Sequence, residues 1–400
     1  MYEVIIEKLD NHGRGICYIN DKIIFVKNAL PNEVVSINIT KESKKYNEAE
    51  VVKYLNVSKD RIESTCPYYL ECGGCNLLHM KYEDTISFKK EKLEGIMAKY
   101  ANIKKDIPII KSKENFSYRN KITLKIINGS YGFYKNQSHE LVEIKNCLLA
   151  EKAIKKFITD ISYLNVKNGE VVIRSNYNDE LLINIITQEK INPDVNYLKD
   201  NHKIVGILLN GKPIIGDSSF IEIINNQLFT VSYDSFFQIN RHICSELFNI
   251  TKNYITDNSI VLDLYCGVGT LGLNIAKRAK KVYGIEIVEN AILNAISNAK
   301  INKRDNVYYL LGDVGNCLPK IIDNVDIVIV DPPRAGLDNK TKKTLIDFHP
   351  QKIIYISCDP MTLARDLKEL QEHYKVTNLL GLDMFPYTYH IETFCVLEKK

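Results

Sequence analysis

The chain has 400 residues, 45% hydrophobic and 26% charged, with a formal net charge of +4 and ten cysteines. That composition excludes a disordered or collagen-like chain, and at about 100–200 residues per domain the length allows two to four domains. No run of about 18 apolar residues occurs, and the opening MYEVIIEKLDNHGRG lacks the basic, apolar and small-residue segments of a secretory leader. A cytoplasmic, reducing location without membrane association is therefore expected, in which cysteines serve as thiols, metal ligands or nucleophiles rather than disulfides.

Charge is unevenly spread: residues 61–160 carry 18 lysines and arginines against 12 acids, while 1–60 balance nine against nine. Screening confines a surface field to about 8–10 Å, so a local surplus can serve phosphates while the whole chain stays near neutral. A solvated lysine-rich surface accounts for the same numbers.

Residues 1–57 alternate as five short strand-like segments separated by turn residues such as His12-Gly13, Asn20-Asp21 and Pro31-Asn32, which predicts a small barrel. Lys41, Lys44, Lys45 and Tyr46 fall in its last turn, where an oligonucleotide-binding barrel uses basic and aromatic groups. A cysteine-rich loop follows, TCPYYLECGGCNLLHM, then a helix over about 82–100. From 117 to 240 strand-like runs dominate (KITLKII, EVVIRSN, ELLINIIT, KIVGILLN, KPIIGD, FIEIINNQLFTVSY) with one helix near 150–163, and Asn128-Gly129, Asn178-Asp179 and Asn210-Gly211 separate them as hairpins do. This predicts a mainly antiparallel α+β central domain. Beyond 240, helices alternate with apolar strands, the mark of a parallel, doubly wound sheet whose sites lie at the strand carboxyl ends. The expected division is thus a barrel over 1–57, a central domain over 58–235 and a Rossmann-like α/β domain over 236–400.

Chemistry concentrates in that last part. In VLDLYCGVGTLG, Gly267, Gly269 and Gly272 follow a predicted strand and open a helix, where glycine lets backbone approach a nucleotide. Taken alone this fits a dehydrogenase. Asp263 lies inside the strand, placed to organise the glycine loop or to meet an ammonium group. Glu286 ends the next strand, suited to ribose hydroxyls, and Asp313 ends the third, suited to an adenine amino group. The fourth strand ends in Asp331-Pro332-Pro333-Arg334, which a dehydrogenase does not need. Together these features resemble S-adenosylmethionine-dependent methyltransferases of the Rossmann-like class rather than a nicotinamide enzyme. Cys358 lies directly beyond the fifth strand in KIIYISCDPMTLARDL. Methylating nitrogen or oxygen needs no thiol, but C5 of uracil is a poor nucleophile until a thiolate adds to C6, after which a separate base must remove the C5 proton. Glu392 is the expected base, at the start of a terminal strand of a hairpin folding back on the sheet edge, with His390 as competitor.

These motifs carry a resemblance. IVLDLYCGVGTLGL, VDPPRAGL, ISCDPMTLARDL, FFQIN and MFPYTYHIETFCVLEK, in this order, resemble the RNA uracil-C5 methyltransferase family, which makes 5-methyluridine in tRNA and ribosomal RNA. The likeness spans the whole chain, because GRGICYIN, FVKNALPNEVV, Ser58 and Arg61 are similar to the TRAM barrel that such enzymes carry as an RNA-binding appendage. It implies a class I methyltransferase fold, Cys358 as nucleophile, Glu392 as proton acceptor, and Gln238, Tyr265, Glu286 and Asp331 at the cofactor, beside the loop glycines Gly267 and Gly269 and with Asp313. Tyr265 and Thr270 sit where members of the family vary.

Cys66, Cys72 and Cys75 are spaced C-x5-C-x2-C, and Cys147 follows at a distance. The wide first gap favours an iron–sulfur cluster over zinc, whose usual pairs are closer, and over plain thiols. The resemblance implies a 4Fe-4S cluster on all four, structural in role because methyl transfer is redox-neutral. The surplus lysines and arginines (Lys89, Lys90, Lys92, Lys104, Lys105, Lys111, Lys113, Arg119, Lys121, Lys125) and the Tyr118–Lys121 segment YRNK suit single-stranded RNA, and a target uridine must be unstacked to reach Cys358. Phe236 and Phe237 are either pocket walls or core. The expected enzyme acts on 23S ribosomal RNA as a monomer. A tRNA enzyme and a non-catalytic RNA-binding iron–sulfur scaffold are the alternatives.

Overall fold

Valine and isoleucine alternate with charged residues through the first 56 positions, and the backbone follows that period of two. Strands β1 (Tyr2–Ile5), β2 (Lys8–Leu9), β3 (Gly15–Ile19), β4 (Lys22–Lys27), β5 (Val34–Glu42) and β6 (Tyr46–Asn56) form one sheet in the order β1-β5-β6-β4-β3-β2. The leading segment breaks at Ile6-Glu7: Ile6 N–H donates to Glu33 O at 3.0 Å and Glu7 N–H to Ile16 O at 2.9 Å, so this one segment pairs with both edges and closes the barrel. That break turns the five expected strands into six. Ile6, Cys17, Ile24, Val26, Val35 and Ile37 fill the interior.

The computed structural model describes residues 1–136, 138–321 and 324–400. They fall into two units, Met1–Lys92 with Phe133–Val142 and Phe385–His390, and Leu93–Gly132 with Glu143–Met384 and Ile391–Lys400. In the first, Glu33 is fully buried and anchors the barrel's exit. It accepts from Leu30 N at 2.8 Å, from Ser58 N at 3.2 Å, and from Arg61 through Nε and, at 2.7 Å, through Nη2. Arg61 in turn lies 4.3 Å over the Tyr54 ring. A buried carboxylate is tolerated because every lone pair facing the interior has a donor.

Strands β8 (Lys121–Ile127), β9 (Ser130–Tyr134), β10 (Leu141–Glu143), β11 (Gly169–Ser175), β12 (Leu181–Ile186), β13 (Ile204–Leu209) and β14 (Lys212–Gly216) form a sheet in the order β10-β9-β8-β11-β12-β13-β14; β7 (Ile109–Ile110) belongs elsewhere. The pairings of β8 with β9 and β11, of β11 with β12 and of β13 with β14 are antiparallel, as expected; the β12–β13 step is parallel and is bridged by a helix over Val195–Asn201 that the sequence reading did not anticipate. The run FIEIINNQLFTVSY, read as one strand, is a hairpin of β15 (Ser219–Ile224) and β16 (Gln227–Ser232), because Asn225 and Asn226 both take left-handed φ (50° and 61°). Two consecutive left-handed residues make the tight turn whose twist suits a hairpin, and asparagine tolerates that region.

The remaining strands are apolar on both faces, as a sheet covered by helices demands. They are β17 (Ile260–Leu264), β18 (Lys281–Glu286), β19 (Val307–Leu311), β20 (Ile327–Val330), β21 (Lys352–Ser357), β22 (Tyr374–Leu382) and β23 (Glu392–Lys399), in the order β19-β18-β17-β20-β21-β23-β22-β7. Strands β17 to β21 are parallel and β23 runs antiparallel between β21 and β22. The order reverses between β17 and β20, the switch point where open α/β sheets bind ligands. Helices over Arg241–Asn253, Thr270–Ile275, Glu289–Ile301, Asn339–Phe348 and Pro360–Leu370 flank this sheet. The last of these starts on Asp359, whose Oδ1 accepts from Met361 N and Thr362 N, with Pro360 in the first turn. Among the described residues no helix is long and apolar enough to cross a membrane.

Candidate active site and cofactor loop

Strand β17 delivers Asp263, buried, to the base of the glycine loop, where its Oδ2 accepts from Gly272 N at 2.8 Å. A β-carbon on Gly272 would lie 3.0 Å from that oxygen, so glycine is what allows the contact. The carboxylate therefore organises the loop, the first of its two expected roles. Its other oxygen is buried with no hydrogen-bond partner among the described residues, an acceptor left available to a ligand. Burial, helped by Asp331 and Glu286, pushes the Asp263 carboxyl up to about 7.

The loop itself is strained. Tyr265, Gly267 and Gly269 have φ of 61°, 54° and 81°. At Gly269 a β-carbon would collide with Tyr309 Oη, itself buried and without a hydrogen-bond partner among the described residues. Tyr309 was missed in the sequence because nothing in VYYLL tells which tyrosine turns under the loop. Glu286 is held by backbone donors: Oε2 accepts from Gly267 N at 3.1 Å, and Oε1 from Ile287 N and Val288 N at 2.8 and 2.9 Å. A carboxylate fixed this way is preorganised for hydroxyl donors. Asp313 is exposed, caps the start of a short helix with its backbone, and faces Lys340 Nζ at 3.7 Å. Gln238 is half-buried, and its backbone oxygen accepts from Asn120 Nδ2 at 2.9 Å.

The reacting edge is set by strand register. Ser357 pairs with Thr393 at the end of the antiparallel β21–β23 ladder, so Cys358 leaves β21 where Glu392 begins β23, and the Glu392 charge reaches the Cys358 thiol. Glu392 is almost fully buried, and burial, reinforced by Asp331 and opposed by Arg334, pushes its carboxyl well above the usual range. Burial also raises Asp331 to about 7. The Cys358 thiol, half-buried, is pushed up to about 11 by burial and then by Glu392 and Asp331, with Arg334 pulling it down. Arg334 is thus the cation whose field reaches both reacting groups. His390 lies in the other unit, its ring 4.2 Å from that of Tyr389.

Other expectations meet the structure less well. Phe237 is buried against Phe229, a core residue, while Phe236 is 69% exposed. Lys89 is fully buried and donates to Phe385 O at 2.9 Å, so it does not belong to an RNA-binding surface; Lys92 is half-buried and donates to Tyr389 O at 2.8 Å. Tyr118 is buried and cannot stack on a base. In the first unit, Cys66, Cys72 and Cys75 lie half-buried on the loop before the long helix, and Gly74 N donates to Cys72 Sγ at 3.4 Å; Cys147, also half-buried, belongs to the second unit. The donor chemistry suits a thiolate-bound metal. Yet among the described residues no group of three or more His, Cys, Asp or Glu is placed to hold a metal ion.

Comparison with known proteins agrees with this geometry. The signature of the tRNA (Uracil-5-)-methyltransferase family matches residues 322–400, that of the TRAM domain residues 1–52, and that of RNA cap guanine-N2 methyltransferases residues 258–357. The chain is 33% identical to an uncharacterized RNA methyltransferase of Clostridium tetani, over 99% of this chain and 96% of that protein. It is 35% identical to another from Aquifex aeolicus, over 100% and 98%. Among solved structures, the tRNA (uracil-54, C5)-methyltransferase of Pyrococcus abyssi, in complex with S-adenosyl-L-homocysteine, superposes with a TM-score of 0.83 at 26% identity, over 99% of this chain and 100% of that one. The fold and site define a class I methyltransferase. The chain belongs to the TRAM-bearing RNA uracil-5-methyltransferase family, and S-adenosylmethionine is its methyl donor.

Proposed function

We propose that the enzyme methylates C5 of one unstacked uridine through a transient bond between Cys358 Sγ and C6 of the base, with Glu392 receiving the C5 proton. The observation that carries this reading is the place of Cys358, one residue beyond the Ser357–Thr393 pair, where the charges of Glu392 and Asp331 both reach its thiol. The bound donor supplies an electrophilic methyl group. Thiolate addition to C6 makes C5 nucleophilic; once C5 carries the methyl, Glu392 takes the C5 proton, the C5=C6 bond re-forms and the thiolate leaves. At rest the thiol is protonated, so it must lose its proton as substrate binds, with Arg334 favouring the anion. Gln238, Tyr265, Gly267, Gly269, Glu286, Asp313 and Asp331 would hold the donor. The Glu392→Gln enzyme, given RNA and S-adenosylmethionine, should accumulate a denaturant-resistant protein–RNA species; fast release of methylated RNA would move the base to another group, such as His390.

For the substrate we infer 23S ribosomal RNA, on the combination of barrel and cysteine set, with a monomeric enzyme and the functional division 1–57, 58–235 and 236–400. A tRNA target is the second reading, favoured by the end-to-end similarity to the Pyrococcus abyssi enzyme. Quantifying 5-methyluridine separately in ribosomal and transfer RNA of a deletion strain decides between them. We also propose that Cys66, Cys72, Cys75 and Cys147 hold a structural 4Fe-4S cluster; their spacing and the N–H donor at Cys72 support it. Oxygen-free purification should give a coloured, iron-containing protein, and a colourless zinc protein would contradict the assignment.

A further inference from the structure

Two cations oppose one another in the central sheet. In the antiparallel pairing of β8 with β11, Arg174 is the register partner of Lys121. Two steps along the same face, Lys125 stands opposite Glu170 and pairs with it, which is the arrangement cross-strand electrostatics favours; like charges directly opposed are unfavourable. Arg174 is 97% buried, with 3% of its surface exposed. Its Nη2 donates to Ser235 O, but its Nε is buried without a hydrogen-bond partner among the described residues. On its other side, β12 presents Leu182. Asp234, whose charge reaches Arg174, is exposed and already accepts from Asn290 Nδ2 at 3.1 Å. Burial and the Arg174 charge push the Lys121 ammonium down to about 8. Arg119, two residues before Lys121, likewise has a buried Nε without a partner among the described residues.

A buried guanidinium with an orphaned donor, opposed by a half-buried ammonium, is costly to keep unless an anion completes it. The place is suggestive too. Arg174 holds Ser235 and Asn120 holds Gln238, so these strands grip both ends of the short loop that carries Phe236 and Gln238.

We propose that Lys121 and Arg174 form an anion subsite that takes a backbone phosphate of the RNA substrate next to the target nucleotide. This rests on the RNA methyltransferase reading and names where that substrate is gripped. A planar guanidinium and a point-charge ammonium together suit the oxygens of one phosphodiester.

The test is Lys121→Glu, with Lys121→Met as the milder variant, measured on the full-length protein with a fluorescein-labelled, uridine-containing single-stranded oligoribonucleotide. Lys121→Glu supplies Arg174 with a partner, so the thermal midpoint should rise while RNA affinity falls by about tenfold or more. The slope of log Kd against log salt should fall by about 0.7 for each lost single-strand phosphate contact. Donor affinity should not change. A raised midpoint with unchanged RNA affinity and salt slope would overturn the subsite and leave the methyltransferase reading standing. If instead the wild type makes no 5-methyluridine while Lys121→Glu still loses RNA affinity, the subsite stands and the catalytic reading fails. Lys121→Met, which adds no acid, should weaken binding and flatten the slope to a lesser degree; unchanged binding in that variant would also count against the subsite.

Discussion

The barrel and the methyltransferase sheet both bury carboxylates, and they treat them in opposite ways. Glu33 in the barrel meets two backbone N–H groups and two guanidinium N–H groups, so its charge is spent on holding Leu30, Ser58 and Arg61 in place. In the sheet the Asp331 charge reaches both Glu392 and Asp263, and Arg334 opposes it at Glu392. Burial raises all three carboxyls, and at Asp263 one oxygen is left without a hydrogen-bond partner among the described residues. Complete satisfaction marks a fastening, and incomplete satisfaction marks a site waiting for a ligand or a proton. The cysteines repeat the contrast: Cys17 is a buried filler of the barrel, whereas Cys358 is half-buried at a strand end among titratable groups.

The comparison breaks most decisively at Cys358. Cys358→Ala should lower methyl transfer by about 10⁴-fold or more, because a covalent route has no substitute nucleophile, while donor binding by calorimetry stays near wild type. Substantial residual transfer would show that the thiol is not the nucleophile. At the fastening, Arg61→Ala leaves Glu33 buried without its cation and should cost about 3–5 kcal/mol of stability, seen as a lower thermal midpoint. A cost under about 1 kcal/mol would place Glu33 with the unsatisfied acids instead. Gly269→Ala forces a left-handed alanine against Tyr309 and should weaken donor affinity by about 1–2 kcal/mol, read by calorimetry. The smallest effect concerns charge. In the proposed covalent route the thiolate is the reactive form, and the Cys358 thiol is pushed up to about 11. The value of kcat/KM should therefore climb with pH through the neutral and alkaline range. Arg334→Ala, which removes the lowering charge, should reduce it a fewfold at about pH 8. A flat profile would mean that substrate binding, not the thiol proton, limits the rate.

Much of the sheet was legible because period and punctuation agree there: apolar runs end in Glu286, Asp331 and Ser357-Cys358, and strand carboxyl ends are where such sheets place chemistry. The helix at Pro360 is written just as locally, with Asp359 as cap and Pro360 as first residue. What the sequence hides is lateral. That Cys358 comes within reach of the Glu392 charge, or that Lys121 opposes Arg174, depends on register between strands 34 and 53 positions apart, which local pattern does not encode. The same blindness explains Lys89, which looks like surface charge and is buried because its ammonium finds the Phe385 carbonyl. Asn225-Asn226 was hidden differently, as a hairpin turn without the glycine that usually announces one.

The most direct test of the covalent route is incubation of the enzyme with S-adenosylmethionine and RNA in which 5-fluorouridine replaces uridine. Fluorine at C5 cannot be removed as a proton, so elimination stalls after methylation. A denaturant-stable protein–RNA complex that Cys358→Ala fails to form is the predicted result. No complex with the wild type, or an equal complex with Cys358→Ala, would contradict it.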